Sequence, residues 1–356
     1  MKKYTILLII FIGIGISAHA QTVGRQIPPE ITDGIQIETK STLYNQAYLE
    51  IADMLDGKTP LSIKRAVFLM EWAYMDGNLD YEWYCQSIDN AATYLNKFIA
   101  VNGLDKYKTG KNLALYDYFT QPLSGNGHKP FTYDMSEAAD REGFATRFVT
   151  KVIRTNTGQC HSLPMYYRIL AEAIEADAHL ALAPQHAFIR YRNEDNLFPE
   201  DWVNVELTTH QIQPEFWIKE HSEINETMIE NKVYLHPLSV AETVACQLLD
   251  LAWGYMDKYG EPDDFMWLCA IKSLEYFPQN LRGIHLKGFV LNSLLARYLA
   301  SRDNQWDDYA KLLAAKLYEL TELEKSFGWT AENDQTLERL AKEHEQIKID
   351  ERAKAQ

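Results

Sequence analysis

Cys160, His186 and Glu206 are the residues of this chain whose types and surroundings suit nucleophilic chemistry. Cys160 lies in TNTGQCHSLPMYYRILAEAIEA (155–176), where Leu163, Tyr166, Leu170, Ala173 and Ile174 recur at helical spacing and predict a helix to about Ala176. Proline is tolerated only in the first helical turn, so Pro164 puts the helix start near residues 160–163, and Gly158 supplies the turn into it. A cysteine there meets free N–H groups and the positive end of the helix dipole, conditions that lower a thiol's pKa. The stretch QHAFIRYR (185–192) alternates, with Ala187, Ile189 and Tyr191 on one face and His186, Phe188 and Arg190 on the other. WVNVEL (202–207) does the same, with Val203, Val205 and Leu207 opposed to Trp202, Asn204 and Glu206. Joined as an antiparallel hairpin across the polar loop NEDNLFPED, the strands set Arg192 opposite Trp202 and His186 opposite Thr208. Glu206 is then the diagonal neighbour of His186 on the same face. A register slip of two residues would change how near Asn204 comes.

These three residues supply a nucleophile, a base and an orienter. The thiolate attacks, while His186 as imidazolium stabilises it and then gives a proton to the leaving group. Glu206 accepts the other ring N–H, fixes the tautomer and favours the charged imidazole. The backbone N–H of Cys160 is the safest oxyanion donor, with Gln159, Asn204 and Trp202 as candidate oxyanion or substrate contacts. His161 follows the nucleophile but points about 100° away on a helix. Thr208, Thr209 and His210 would extend the site, and Arg190 and Arg192 on so acidic a chain are expected to be paired.

The order of a cysteine at a helix start, a histidine in a strand and an acid in the next strand resembles the transglutaminase-like superfamily, a branch of the papain-like cysteine enzymes. Gly158-Gln159-Cys160, His186-Ala187-Phe188, and Trp202 followed four positions later by Glu206 carry the resemblance, which covers residues 110–215. It implies a Cys–His–Asp triad performing amide hydrolysis or acyl transfer to amines; the expected substrate or partner is a peptide or protein, with no cofactor or metal. It also fits a helical tail, because similar bacterial members occur joined to tetratricopeptide helices. Glu206 stands where Asp is usual, Phe188 where Trp is common, and the 26 residues from Cys160 to His186 are a compact gap. Some relatives keep the fold as a binding unit, so a catalytically silent scaffold for a peptide or protein is the alternative.

The elements that must position this constellation give an α+β chain, in which a small antiparallel sheet and a Cys-bearing helix are flanked by largely helical N- and C-terminal regions. The expected division is 1–20, 21–109, 110–230 and 231–356. Thr59-Pro60 signals a helix start, and Ile88, Ala91, Ala92, Leu95, Phe98 and Ile99 form one apolar stripe, with Cys85 nearby as a buried small hydrophobe. Residues 120–135 read as a loop, and a short helix is expected from Ser136 to Ile153. Beyond Asn231 the pattern is helical, and Gly254 and Gly288 stand 34 residues apart, the tetratricopeptide period. A helix continues from Trp306, and residues 331–356 read as a solvated amphipathic helix.

Composition narrows the function further. The 356 residues carry 35 Lys plus Arg against 50 Asp plus Glu, a formal charge of −15 that disfavours nucleic acid and anionic membranes as partners. Lys2-Lys3, the apolar stretch Thr5 to Ser17 and Ala18-His19-Ala20 read as a cleaved leader, so the expected destination is periplasmic or extracellular, without a stable membrane anchor. Cysteines at 85, 160, 246 and 269 are too few for a disulfide scaffold, although Cys246 and Cys269 could bridge neighbouring helices. The usual signatures of phosphate transfer, nicotinamide chemistry and metalloproteases are absent.

Overall fold

The computed structural model describes residues 40–136 and 143–354; the expected leader and the Pro28-Pro29 lead-in lie outside the described residues. Helices α1 (Thr42–Leu55), α2 (Ile63–Tyr74) and α3 (Tyr81–Asn102) occupy the N-terminal stretch of helical spacing. Helix α2 starts later than Thr59-Pro60 indicates. Its cap is Ser62, whose hydroxyl accepts from the Arg65 N–H at 3.2 Å, and a helix begins where an orphan donor finds such an acceptor. The α3 stripe of Ile88, Ala91, Ala92, Leu95 and Ile99 is buried. Cys85 is half-exposed instead of buried, because its neighbour Tyr84 takes the inward place.

After α4 (Gly110–Thr120) the chain loops, but the loop ends in a short strand. Here β1 (Thr132–Tyr133) runs parallel to β2 (Thr157–Gly158). Of the helix expected from Ser136 to Ile153, residues 137–142 lie outside the described residues, and the remainder is a 3₁₀ turn, Gly143–Arg147, followed by α5 (Val149–Thr155). Phe148, extended at φ −82° and ψ 134°, separates them and offers no capping side chain. The cap comes from α2. Glu71, fully buried, accepts from the N–H groups of Val149 (2.6 Å) and Thr150 (3.1 Å) and from the Thr150 hydroxyl (2.5 Å). A carboxylate thus meets the positive end of α5.

Helix α6 (Ser162–Ala173) is central, with every residue from Ser162 to Ala171 buried. It stops short of Ala176, since Glu175 turns left-handed at φ 57°. Against it lies a four-stranded antiparallel meander, β3 (His179–Ala183), β4 (His186–Arg192), β5 (Trp202–Glu206) and β6 (Gln211–Gln213), in sequential order. Strands β4 and β5 pair with Arg192 opposite Trp202, the register that the two alternating stretches require. Strands β3 and β6 extend the expected hairpin on either side. The outer edge of β3 is covered, since Leu235 and Leu238 donate to the carbonyls of Leu182 (3.0 Å) and Leu180 (2.9 Å).

Short helices α7 (Glu215–His221) and α8 (Glu226–Glu230) lead to α9 (Val240–Tyr259), α10 (Asp264–Tyr276), α11 (Leu281–Ala300), α12 (Asp308–Ser326) and α13 (Ala331–Lys354). Helix α9 packs on α1, α2 and α10. Where it crosses the 143–155 segment only glycine fits: a Cβ on Gly254 would lie 2.9 Å from Phe144 and 3.3 Å from Tyr74. Gly288 meets nothing within 4 Å and sits in the first half of α11, so the two glycines are not equivalent positions of a repeat. Trp306 is exposed before α12, which Asp307 caps. The last helix is anchored as well as solvated, through Arg352 to the carbonyls of Met135 (2.7 Å) and Ser136 (3.1 Å). All four cysteines are free, Cys246 and Cys269 included. Among the described residues no helix is long and apolar enough to cross a membrane.

Removing the Glu71 carboxylate strands two amide donors and a hydroxyl, so Glu71→Ala is expected to cost about 3 kcal/mol in urea unfolding. Burial, outweighing the hydrogen bonds from Thr150 and Val149 and the charge of Arg154, pushes Glu71 up to about 7. A raised acid contributes most while protonated in both states. Wild type should therefore lose stability relative to Glu71→Gln as pH rises from 4.5 to about 7.

Candidate active site

The nucleophile's loop is held on both sides before α6 begins. Asp134 donates its N–H to the Gly158 carbonyl (2.8 Å), continuing the β1–β2 pairing. The Gln159 N–H donates to Ser162 Oγ (3.0 Å), and the Leu163 N–H returns to the Gln159 carbonyl (3.1 Å). Gly158 permits this closeness, since a Cβ there would lie 2.6 Å from Val152 and 2.8 Å from the Ser162 hydroxyl. Cys160 therefore stands immediately before His161, the residue at the α6 N-cap position, and its side chain is half-buried. Among the described residues the Cys160 backbone N–H has no hydrogen-bond partner, which leaves it free to face an oxyanion.

The base arrives from the β3–β4 hairpin. Ala183 pairs with His186 across a two-residue turn, Pro184-Gln185. Proline pre-sets the first position, and Gln185 takes a left-handed φ of 54°, where glycine or asparagine is usual. That turn brings the Gln185 carbonyl to 4.0 Å from Cys160 Sγ and starts β4 with His186 beside the thiol. His186 Nε2 bonds Glu206 Oε2, and the imidazole lies near enough to Cys160 for the thiol to favour its charged form. With Nε2 taken by the carboxylate, Nδ1 is the nitrogen left for sulfur. Burial disfavours a charged His186, but the negative charge and hydrogen bond of Glu206 and the nearby Cys160 thiol prevail and hold its pKa well above the usual imidazole range.

Glu206 comes from the end of β5, two residues beyond Asn204, which pairs with Arg190. Its Oε1 accepts from the Thr208 N–H (2.9 Å) and hydroxyl (2.6 Å), which leaves Oε2 for His186. Burial alone would raise this carboxyl; the His186 charge and the Thr208 bonds lower it below the ordinary range instead. Thr208 thus fixes the orienting acid. The signal was its place two residues after Glu206, where a turn N–H and hydroxyl return to the preceding side chain.

The other candidates are placed differently. Gln159 donates its amide to the Asp134 carbonyl (3.1 Å), at the rim of the nucleophile's loop. Asn204 is buried and donates to the Gln213 carbonyl (3.1 Å), so its amide serves the β5–β6 pairing. Trp202 lies at the far end of β5, with the Arg190 and Arg192 guanidinium groups 4.9 and 4.1 Å from its ring centre. The side chain that the alternation put on Glu206's face is therefore too distant along the strand to touch the thiol. Arg190 is paired, with Glu215 and the Leu235 carbonyl. His210 bonds the Phe131 carbonyl and lies outside the cluster. No group of His, Cys, Asp and Glu among the described residues is arranged to hold a metal ion.

The chain matches no family model, no curated protein and no solved structure. The site therefore has to be read from its own chemistry.

A base raised in the fold contributes stability that is complete below its unfolded value and is lost through its folded value; a lowered acid behaves in the opposite sense. The His186–Glu206 coupling, measured by a double-mutant cycle with His186→Ala and Glu206→Gln, should be largest between pH 4.5 and 6.5. It should fade in acid as Glu206 takes a proton and in alkali as His186 loses one.

Proposed function

We propose that the chain is a cysteine-dependent acyl-transfer enzyme that cleaves an amide bond of a peptide or protein, on a core resembling the transglutaminase-like superfamily. The observation that carries this reading is the pairing of His186 Nε2 with Glu206, on a strand whose preceding residue, Gln185, meets the Cys160 thiol. A buried structural histidine does not need an ionised carboxylate on one side and a half-exposed thiol on the other. The exported destination expected from the N-terminal residues belongs to the same reading.

Proton transfer from Cys160 to His186 gives a thiolate and an imidazolium that Glu206 stabilises. Sulfur attacks the carbonyl carbon, and the oxygen's charge is met by the Cys160 backbone N–H. As the tetrahedral species collapses, the C–N bond breaks and the amine leaves with the His186 proton, so Cys160 holds the acyl group as a thioester. Water then gives a proton to His186 and attacks the same carbon. The C–S bond breaks, the acid is released and the thiol is restored. An amine in place of water makes the step a transamidation. Hydrolysis is preferred here because it needs no second substrate pocket.

Alkylation of Cys160 by iodoacetamide, followed by peptide mass spectrometry across pH, tests this. Cys160 should already react rapidly at about pH 6, and His186→Ala should lower that rate about a hundredfold. A thiol that reacts only as pH approaches about 8.5, indifferent to His186, would leave a peptide-binding scaffold without catalysis.

A further inference from the structure

We infer that His161, Asp250 and Arg282 form a positioning relay through which the C-terminal helices hold Cys160 against His186. The inference rests on the catalytic reading above and adds residues to it. His161 occupies the N-cap position of α6, yet its side chain caps nothing there. Its Nε2 instead reaches Asp250, 2.9 Å away and 89 residues on in the chain. Asp250 lies near the middle of α9 and is buried, where a lone carboxylate would be very costly. Arg282, in the first turn of α11, matches it at 2.5 Å, and the Gln247 amide adds a longer contact at 3.4 Å. Arg282 is itself set by the helix start, since its N–H is held by Asn280 Oδ1 at 3.1 Å.

Two helices of the C-terminal layer therefore converge on the residue beside the nucleophile. A buried ion pair is a poor device for stability alone, because apolar packing of similar volume does as well. Its use is direction, and direction matters most one residue from the sulfur, where a shift of about 1 Å is costly to reactivity.

The charges around His161 support a steering role. Asp250 faces it from α9, Arg282 from α11, and Arg147 from the 3₁₀ turn before α5. Burial, aided by the charges of Arg282 and Arg147, pushes His161 down to about 4 against the opposing pull of Asp250. A proton on His161 would leave the Asp250–Arg282 pair with an extra buried positive charge. Held neutral, with Nε2–H donating to a carboxylate that only accepts, His161 orients its turn and leaves His186 as the cation that the thiolate meets.

The test is the pH profile of Cys160 alkylation by iodoacetamide in the full chain, read by peptide mass spectrometry beside the urea unfolding midpoint. Asp250→Ala should slow alkylation at pH 6 about tenfold and move the half-maximal rate up by about one pH unit. Asp250→Asn still accepts from Nε2–H and should recover to within about threefold of wild type. A lowered unfolding midpoint with an unshifted profile in Asp250→Ala overturns the relay, as does an Asp250→Asn profile as impaired as that of Asp250→Ala. If Asp250→Ala does not fold, His161→Phe keeps the bulk and removes the donor: the same shift is expected, and a wild-type profile overturns the relay. A wild-type rate indifferent to His186→Ala removes the catalytic reading itself. That result is distinct from an intact wild-type profile that Asp250→Ala leaves alone.

Discussion

A carboxylate largely withdrawn from water needs a matching positive charge, and Glu206 finds it in His186. Everything around the site follows from making that match possible. Two donors from Thr208 occupy one carboxylate oxygen, so the other is committed to the imidazole. The imidazole, held at Nε2, has one nitrogen left, and the hairpin turn sets that side beside a thiol. Each partner's burial opposes its own charge, so the pair is favourable only as a pair. The thiol is thereby given an imidazolium neighbour at neutral pH without any residue bearing an isolated buried charge.

The cost of this arrangement is borne in the backbone. Gln185 adopts a conformation that non-glycine residues seldom take, in a turn whose other residue is proline. A glycine would relax the turn but would also loosen the direction in which β4 sets off. On the opposite wall, Gly158 lets β2 approach Val152 and Ser162 more closely than any side chain would permit. The approach of the Cys160 loop to the β3–β4 hairpin is thus set by one strained residue and one residue without a side chain.

Much of this was legible in the sequence where one local rule sufficed. The period-two alternation in 185–192 and 202–207, joined by a polar loop, fixes which faces align and leaves only even register slips open, and Arg192 does oppose Trp202. Pro164 located the start of the Cys-bearing helix because proline has so few permitted helical positions. Strand β3 was missed because HLALA is buried along most of its length and does not alternate, and because Pro-Gln is not a usual hairpin turn. The length of β5 was understated as a distance: Trp202 and Asn204 share a face with Glu206, yet pleated spacing carries them away from the thiol. Glu71 and Asp250 gave no local signal. An acid within an apolar helix becomes interpretable only when the distant chain it serves has been brought to it.

These two acids also tie the helical layers to the segment that carries Cys160. Glu71 completes the start of α5, the helix that delivers β2 and hence the loop of Cys160. Asp250 reaches the residue on the other side of that cysteine. A small sheet and one central helix could pack without either contact, using Leu163, Tyr166, Ile169 and Leu170 against Phe119, Ile189 and Val205. Such a core would leave the 156–161 loop with the short β1–β2 ladder and a few local hydrogen bonds to fix it. Two residues of parallel pairing give little resistance to fraying. The flanking helices supply what the ladder lacks, and they do so with hydrogen-bonded carboxylates, whose geometry is directional in a way that apolar packing is not.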